Sequence, residues 1–267
     1  MNNSWQGGNW NLYPLISASM PFQLAFDEVM LKHYLQSYEK IPAPMLRFYL
    51  SDKPWVSLGY SRRGFKRSYG SAHASPEKFR YVRDLPVCRR ITGGGRVVHG
   101  NDIIFSVIAH KESEPSFGSV RLSYLKIHEA VKLAFENLGL APRFYRCDEP
   151  LPKGEDCFLY PIATDLAIGK KKMAGGAQKR THGVMLHQES IKLPGEVDAF
   201  RMMDELRRAL TEIFHLNLCD TPLNPEWMHE AKSLSKLKYE TNSFQEDEDL
   251  ASESREDAVS VSSEWEP

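Results

Sequence analysis

Apolar residues recur along the chain with two periods, and the changes of period mark out its elements. Leu24, Glu28, Leu31 and Leu35 follow at helical steps. Ser19 ahead of them supplies an N-cap and Pro21 suits a first turn, so a helix begins there. A second stripe, Tyr124, Ile127, Val131, Ala134 and Leu138, predicts a helix over 119–138 that Gly139 ends. A third, Phe200, Met203, Leu206, Leu210 and Phe214, predicts a helix over 198–214. Between these lie short runs rich in β-branched and aromatic residues, which predict strands at 46–50, 55–59, 96–99, 103–109, 143–147, 165–168, 172–177 and 184–191. Lys170-Lys171 would turn a hairpin whose second strand opens with Lys172. Strands in series with helices set apart point to an α+β fold, a mixed and largely antiparallel sheet covered by helices.

Composition adds a boundary. Of the 267 residues, 42% are hydrophobic and 26% charged, enough apolar content for a substantial core. No repeat or long linker divides residues 1–240, which read as one domain. The stretch 241–267 is rich in Ser and acid and has little to bury, so it reads as a disordered acidic tail. The formal net charge of −1 conceals +7 on residues 1–240 and −8 beyond. A basic body suits an acidic protein partner, and no nucleic-acid motif accompanies it. The first residues lack the basic and apolar regions of a signal peptide, and no run approaches the roughly 20 apolar residues of a membrane span. A cytoplasmic protein is expected.

Three segments carry chemistry. Gly93-Gly94-Gly95 removes every Cβ from a short loop, so a ligand can lie against amide N–H groups. Arg89, Arg90 and Thr92 precede it, and His99 follows as a group able to move a proton. The loop is not a phosphate-binding P-loop, because GxxxxGK[ST] is absent, and no GxGxxG supports a nicotinamide or flavin site. Lys172 opens a strand running to Gly175-Gly176-Ala177, where a cation facing a cleft could hold a carboxylate, a phosphate or a developing oxyanion. The four cysteines, Cys88, Cys147, Cys157 and Cys219, show no CxxC spacing, and His110, His182 and His187 have no partner at metal-ligand spacing, so no metal site is expected. Each cysteine is a small buried apolar residue or a nucleophile. Only Cys157 has a lysine and glycine-rich strand close behind it. A cation there would lower its thiol below the usual value of about 8.5.

Several of these pieces occur in the order found in one family. Ala25-Phe26-Asp27-Glu28, Leu46-Arg47-Phe48-Tyr49, Val56-Ser57-Leu58-Gly59-Tyr60, the run from Arg89 to His99, Asp102-Ile103-Ile104-Phe105-Ser106, Gly169 to Gln178 and Gly183 to His187 together resemble the catalytic domain of the lipoate–biotin protein ligase superfamily. The resemblance runs from about Pro21 to Leu193. It implies a fold of that kind and one of two chemistries. Lipoate-protein ligases activate lipoate with ATP and magnesium as an acyl-adenylate. Octanoyltransferases take octanoate from acyl carrier protein onto their own cysteine and need no cofactor. Both deliver to a lysine of a lipoyl domain, such as that of a 2-oxoacid dehydrogenase E2 subunit or the glycine cleavage H protein.

Cys157-Phe158-Leu159-Tyr160-Pro161 resembles the Cys-Phe-x-x-Pro segment of cysteine-type octanoyltransferases. Ligases usually carry Arg-Asn-Asp there. The transferase reading is therefore preferred, with Cys157 and Lys172 catalytic. Arg90, Thr92, Gly93, Gly94, Gly95, His99, Gly175, Gly176, Ala177 and His187 would then bind substrate. Arg62, Arg63, Lys66 and Arg67 are candidates for a face that docks an acidic partner. An ATP-dependent ligase and a non-catalytic module that binds lipoyl domains are the alternatives. Two departures stand out: the transferases tend to have Gly-Ser-Ala-Gln where this chain has Gly175-Gly176-Ala177-Gln178, and relatives have a His-Gly pair where it has Gln188-Glu189. Gly100-Asn101 also replaces an acidic pair.

Overall fold

A ten-residue strand comes before the first predicted helix. In a computed structural model, which describes residues 8–37, 41–60, 84–145, 164–169, 171–195 and 197–241, β1 (Asn9–Ala18) leads into α1 (Met20–Leu35). Ser19 caps α1, accepting from the Phe22 amide at 3.4 Å, and proline occupies the first turn. There follow β2 (Met45–Ser51), β3 (Trp55–Leu58), β4 (Val87–Arg89), β5 (Arg96–His99), β6 (Asp102–His110), a 3₁₀ turn (Pro115–Gly118) and α2 (Val120–Asn137). The chain continues through β7 (Arg143–Phe144), β8 (Leu166–Ile168), β9 (Lys171–Thr181), β10 (Val184–Lys192), α3 (Ala199–Phe214), β11 (Asn217–Asp220), α4 (Pro225–Leu234) and a π turn (Ser235–Tyr239).

The main sheet has the order β11-β1-β2-β6-β10-β9-β8-β7. Its first two pairings are parallel and the rest antiparallel, as the mixed α+β expectation requires. A second sheet, β4-β3-β5, stands beside it. Alternation along the strands sends successive side chains to opposite faces. Ile103, Phe105 and Val107 pack with Ile127, Val131 and Phe135 of α2 and with Leu206 and Leu210 of α3. Ile108 and Leu186 face the other way, onto Phe26 and Met30 of α1 and Ala231 of α4. Met20, Leu24, Tyr49, Cys88 and Ile104 close the junction between the two sheets.

Several differences from the sequence reading have local causes. β1 carries Pro14, a residue that argues against an interior strand. The register against β2 shifts between Tyr13 and Ile16, so Pro14 sits in a bulge, and β11 pairs only with Asn9–Leu12. The expected strand at 143–147 is two residues long as described, and Phe200 of the third stripe is 61% exposed. The β8–β9 hairpin pairs Ile168 with Lys171, so its strand starts one residue earlier than expected, and Gly169 takes φ +60° in the turn. Among the described residues no helix is long and apolar enough to cross a membrane. Cys147, Cys157, the basic group at 62–67 and the stretch from 242 onward lie outside the described residues.

Candidate active site

A cavity opens where the junction of the two sheets meets the glycines of β9. Met20 and Leu24 of α1, Tyr49, Val97 and Ile104 give it apolar walls. Ser57, Arg90, His99, Lys172, Gln188, Glu189 and Ser190 supply polar groups, and Gly175, Gly176 and Ala177 supply the floor. The two glycines leave room for the ends of neighbouring side chains. A Cβ on Gly175 would lie 2.5 Å from Lys172 Cε and 2.6 Å from its Nζ. One on Gly176 would meet Glu189 Oε2 and stand 2.5 Å from His187 Cε1.

The β8–β9 hairpin positions the ammonium. Lys172 is 7% exposed, and its Nζ donates to Asp165 Oδ2 at 2.6 Å. Asp165 immediately precedes β8, so the antiparallel pairing of β8 with β9 brings the two side chains back together. The ammonium is fixed in place by its pairing with a buried carboxylate. It is then available to hold a carbonyl oxygen that gains negative charge. If it does so in the acyl transfer that the resemblance implies, replacing Lys172 with methionine, which keeps the apolar stem, is expected to lower the rate about 10²–10³-fold. Steady-state kinetics read this as a fall in kcat with little change in KM, because the donor acts on charge present only in the transition state.

Arg90, His99 and the glycine loop form one hydrogen-bonded unit. Asp102, 3% exposed, accepts from His99 Nδ1 at 2.8 Å, from Ser190 Oγ at 2.6 Å and from the Gly100 amide at 3.0 Å. Burial would raise its carboxyl, but His99, Lys192 and these donors hold it below the ordinary range. An ionised Asp102 fixes the proton on His99 Nδ1, leaving Nε2 to accept from Ser57 Oγ at 2.8 Å. Burial lowers the His99 pKa, so the ring stays neutral. Ser57 Oγ in turn accepts from Arg90 at 3.1 Å. The other end of that guanidinium donates to the carbonyls of Gly93 (2.7 Å) and Gly95 (2.8 Å). Arg90 therefore clamps the loop.

Beneath Gly176 lies a second charged cluster, in which Glu189 is wholly buried. Its Oε2 accepts from His187 Nε2 at 2.9 Å and from His128 Nε2 at 3.1 Å. His128 also donates through Nδ1 to the Thr164 carbonyl, so both its nitrogens carry protons and the ring is an imidazolium. Burial opposes that charge, but Glu189 outweighs it and raises the His128 pKa. Burial would likewise raise Glu189, yet the His128 charge and the two imidazole bonds bring its pKa down to about 2. His187 is kept neutral by burial, and Gln178 Nε2 donates to its Nδ1 at 3.0 Å. On the opposite face of β10, Gln188 accepts from Thr92 Oγ1 at 2.7 Å and donates to Asp27 Oδ2 at 2.6 Å.

Of the residues expected from sequence, Arg90, His99, Lys172, Gly175, Gly176 and Ala177 line the cavity together. Thr92, Gly93, Gly94, Gly95 and His187 are not among its lining residues. The triple glycine packs against other backbone: the Gly93 amide donates to the Gln178 carbonyl at 3.3 Å, Gly94 takes φ +86°, and a Cβ on Gly59 would run into Gly94 O. His187 supports Glu189 from below. Residues absent from the sequence expectation are Asp165, Ser57, Asp102, Asp27 and His128. The last two had a signal, since each is an ionisable residue inside an otherwise apolar helical stripe. Among the described residues no group of three or more His, Cys, Asp or Glu is arranged to hold a metal.

Residues 19–211 match the lipoyl protein ligase A/B catalytic domain. The chain belongs to this family. Among relatives, the octanoyltransferase LipM of Kyrpidia tusciae is 32% identical over 241 residues, covering 83% of this chain and 84% of that one. The octanoyltransferase LipM of Bacillus subtilis is 33% identical over 207 residues, covering 74% and 70%. Among solved structures, lipoate-protein ligase A bound with ATP gives a TM-score of 0.65 at 20% identity, over 89% of this chain and 98% of that one. A bipartite lipoate protein ligase from Thermoplasma acidophilum, solved with its E2 lipoyl domain, gives 0.62 at 21%, over 89% and 96%. At these identities the structures establish the fold, that of a lipoate protein ligase-like catalytic domain. The sequence relatives bear on the branch of the family.

Proposed function

We propose that the protein is an octanoyltransferase of protein lipoylation, which carries the acyl group on Cys157 and delivers it to a lysine of a lipoyl domain. Octanoyl transfer is supported by one observation above others: identities of 32%, 33% and 30% to octanoyltransferases over 83%, 74% and 84% of the chain. The chain is on that basis an acyltransferase. In the proposed route the Cys157 thiolate attacks the thioester of octanoyl carrier protein, a new C–S bond forms, and the carrier leaves as a thiol. The lysine amine then attacks the acyl-enzyme, the C–S bond breaks, and an amide is left on the acceptor. Lys172, held by Asp165, stabilises the carbonyl oxygen in both steps. The apolar side chains of Met20, Leu24, Val97 and Ile104 suit a hydrocarbon, at about 0.8 kcal/mol for each CH₂ they cover. The net charge of +7 on residues 1–240 suits acidic partners on both sides of the reaction. The proposed setting is the cytoplasm, with ATP and magnesium unnecessary.

Intact-mass analysis of the purified protein after exposure to octanoyl carrier protein is the deciding experiment. One octanoyl increment, located on the peptide that contains Cys157, is expected. Formation of lipoyl-AMP from lipoate, ATP and magnesium, with no mass gain from the carrier, would establish the ligase chemistry instead. Tight binding of a lipoyl domain with neither reaction would leave a binding module.

A further inference from the structure

We propose that Glu189 receives the ε-ammonium of the acceptor lysine. The inference rests on the acyl-transfer reading above and extends it to the second half of the reaction. Among the described residues that line the cavity, Tyr49, Arg90, His99, Lys172 and Glu189 are the titratable ones, and Glu189 is the one carboxylate. A lysine amine has a pKa of about 10.4 in water and so arrives protonated. Arg90 and Lys172 also line the cavity, and Glu189 is the lining carboxylate that can accept from an incoming ammonium.

Glu189 is also incompletely bonded. Its Oε2 is taken by His128 and His187, whereas Oε1 is buried and has no hydrogen-bond partner among the described residues. Buried carboxylate oxygens are normally satisfied, and one that is not has an unfilled place for a donor. The His128 imidazolium keeps the group ionised, so it can accept and cannot donate. His99, the other proton acceptor in the cavity, already has Nε2 bonded to Ser57.

The backbone is built to admit this carboxylate. Gly176 is paired with Glu189 across the β9–β10 rung, and any Cβ at 176 would meet Glu189 Oε2. At this rung the bulk and charge stand on β10, with His187 and His128 placed to hold them. Three supporting imidazole hydrogen bonds, two to Glu189 and one from Gln178 to His187, fix its orientation.

In the step itself the ammonium, held against Glu189, gives one proton to solvent and its nitrogen attacks the Cys157 thioester. The N–C bond forms, the C–S bond breaks, and the sulfur leaves with the electron pair and takes the second proton from nitrogen. Glu189 aligns the nitrogen and is not consumed.

The test separates the two half-reactions. Wild-type and Glu189→Gln enzymes are acylated with octanoyl carrier protein, isolated, and offered either a lipoyl domain or hydroxylamine, an amine that is uncharged at neutral pH. Glu189→Gln is expected to slow transfer to the lipoyl domain about 10- to 100-fold, the range for a lost hydrogen bond to a charged group. Acylation of Cys157 and cleavage by hydroxylamine should stay within about twofold of wild type, since neither involves a cationic nucleophile. Unchanged transfer to the lipoyl domain overturns the assignment. Equal losses in all three measurements also overturn it, because they mark a packing role. A wild-type enzyme that takes no acyl group on Cys157 overturns the transferase reading itself, which is a separate result.

Discussion

Cys157→Ala is expected to reduce octanoyl transfer by about 10³-fold or more, to the background of the uncatalysed reaction, with no octanoyl increment on the protein. In the proposed route, removal of the nucleophile eliminates the covalent path. Cys157→Ser should behave similarly, since a hydroxyl at neutral pH is a far weaker nucleophile than a thiolate. Cys88 provides the control. It is fully buried, burial raises its thiol pKa to about 12 against the opposing charge of Arg90, and its Sγ lies 3.7 Å from the Val56 carbonyl. Cys88→Ala should therefore retain transfer while losing some stability. Full activity in Cys157→Ala, measured with octanoyl carrier protein and a lipoyl domain, would remove the covalent mechanism.

Asp27→Ala is expected to cost about 3–5 kcal/mol of folding stability, the penalty for breaking a buried ion pair from one side. Asp27 and Arg47 both have wholly buried side chains, 2.7 Å apart. Asp27 also accepts from Ser106 Oγ at 2.7 Å, Tyr49 OH at 3.1 Å and Gln188 Nε2 at 2.6 Å. One carboxylate thus ties α1 to β2, β6 and β10. Its removal leaves a guanidinium that still donates to Gln23, lies 4.1 Å from the Tyr49 ring centroid, and has lost its counter-charge. Domains of ordinary stability have about 5–15 kcal/mol in total, so the variant would be close to unfolding. Urea denaturation followed by circular dichroism measures the loss as a lowered midpoint. Lys32→Ala gives the contrast. Lys32 is 53% exposed in its pair with Glu230, and the change should cost less than about 1 kcal/mol. Similar costs for the two substitutions would show that the Asp27 network is not what anchors α1.

These two residues also differ in how far they can be read in advance. Cys157 sits in a contiguous segment, and its meaning comes from neighbours in the chain and from the lysine fifteen residues on. Asp27 is visible as an acid among Leu24, Ala25, Phe26, Val29 and Met30, but its partners are 20 to 161 residues away. The helix stripes of α1, α2 and α3 were legible because a helix face repeats within a few residues, and each end carries its own capping chemistry. β1 and β11 were not, because a strand's hydrogen bonds are completed by a distant partner and Pro14 argues against pairing until the bulge is seen. α4 has its cap at Asn224 and Pro225 in its first turn, yet what stabilises it is contact with α1, some two hundred residues earlier.

The cavity divides in the same way. Lys172 and the glycines of β9 stood out by residue type and spacing, and the structure brings them together with Arg90 and His99. The triple glycine was expected to face a ligand, whereas its described contacts are the backbone around Gly59 and Gln178 and the Arg90 guanidinium. Steric freedom at glycine serves either end, and composition cannot distinguish them.

From the order of its residues alone, the chain determined its α+β class, its family, its first three helices and the cysteine and lysine on which the proposed chemistry depends, because those signals lie within short contiguous segments. Only the tertiary structure decided that Asp165 holds Lys172, that Arg90 clamps a loop, and that Glu189 stands over two imidazoles with an oxygen to spare. Each of these depends on sheet register, which sets distant residues on one rung or one face and which no local pattern encodes.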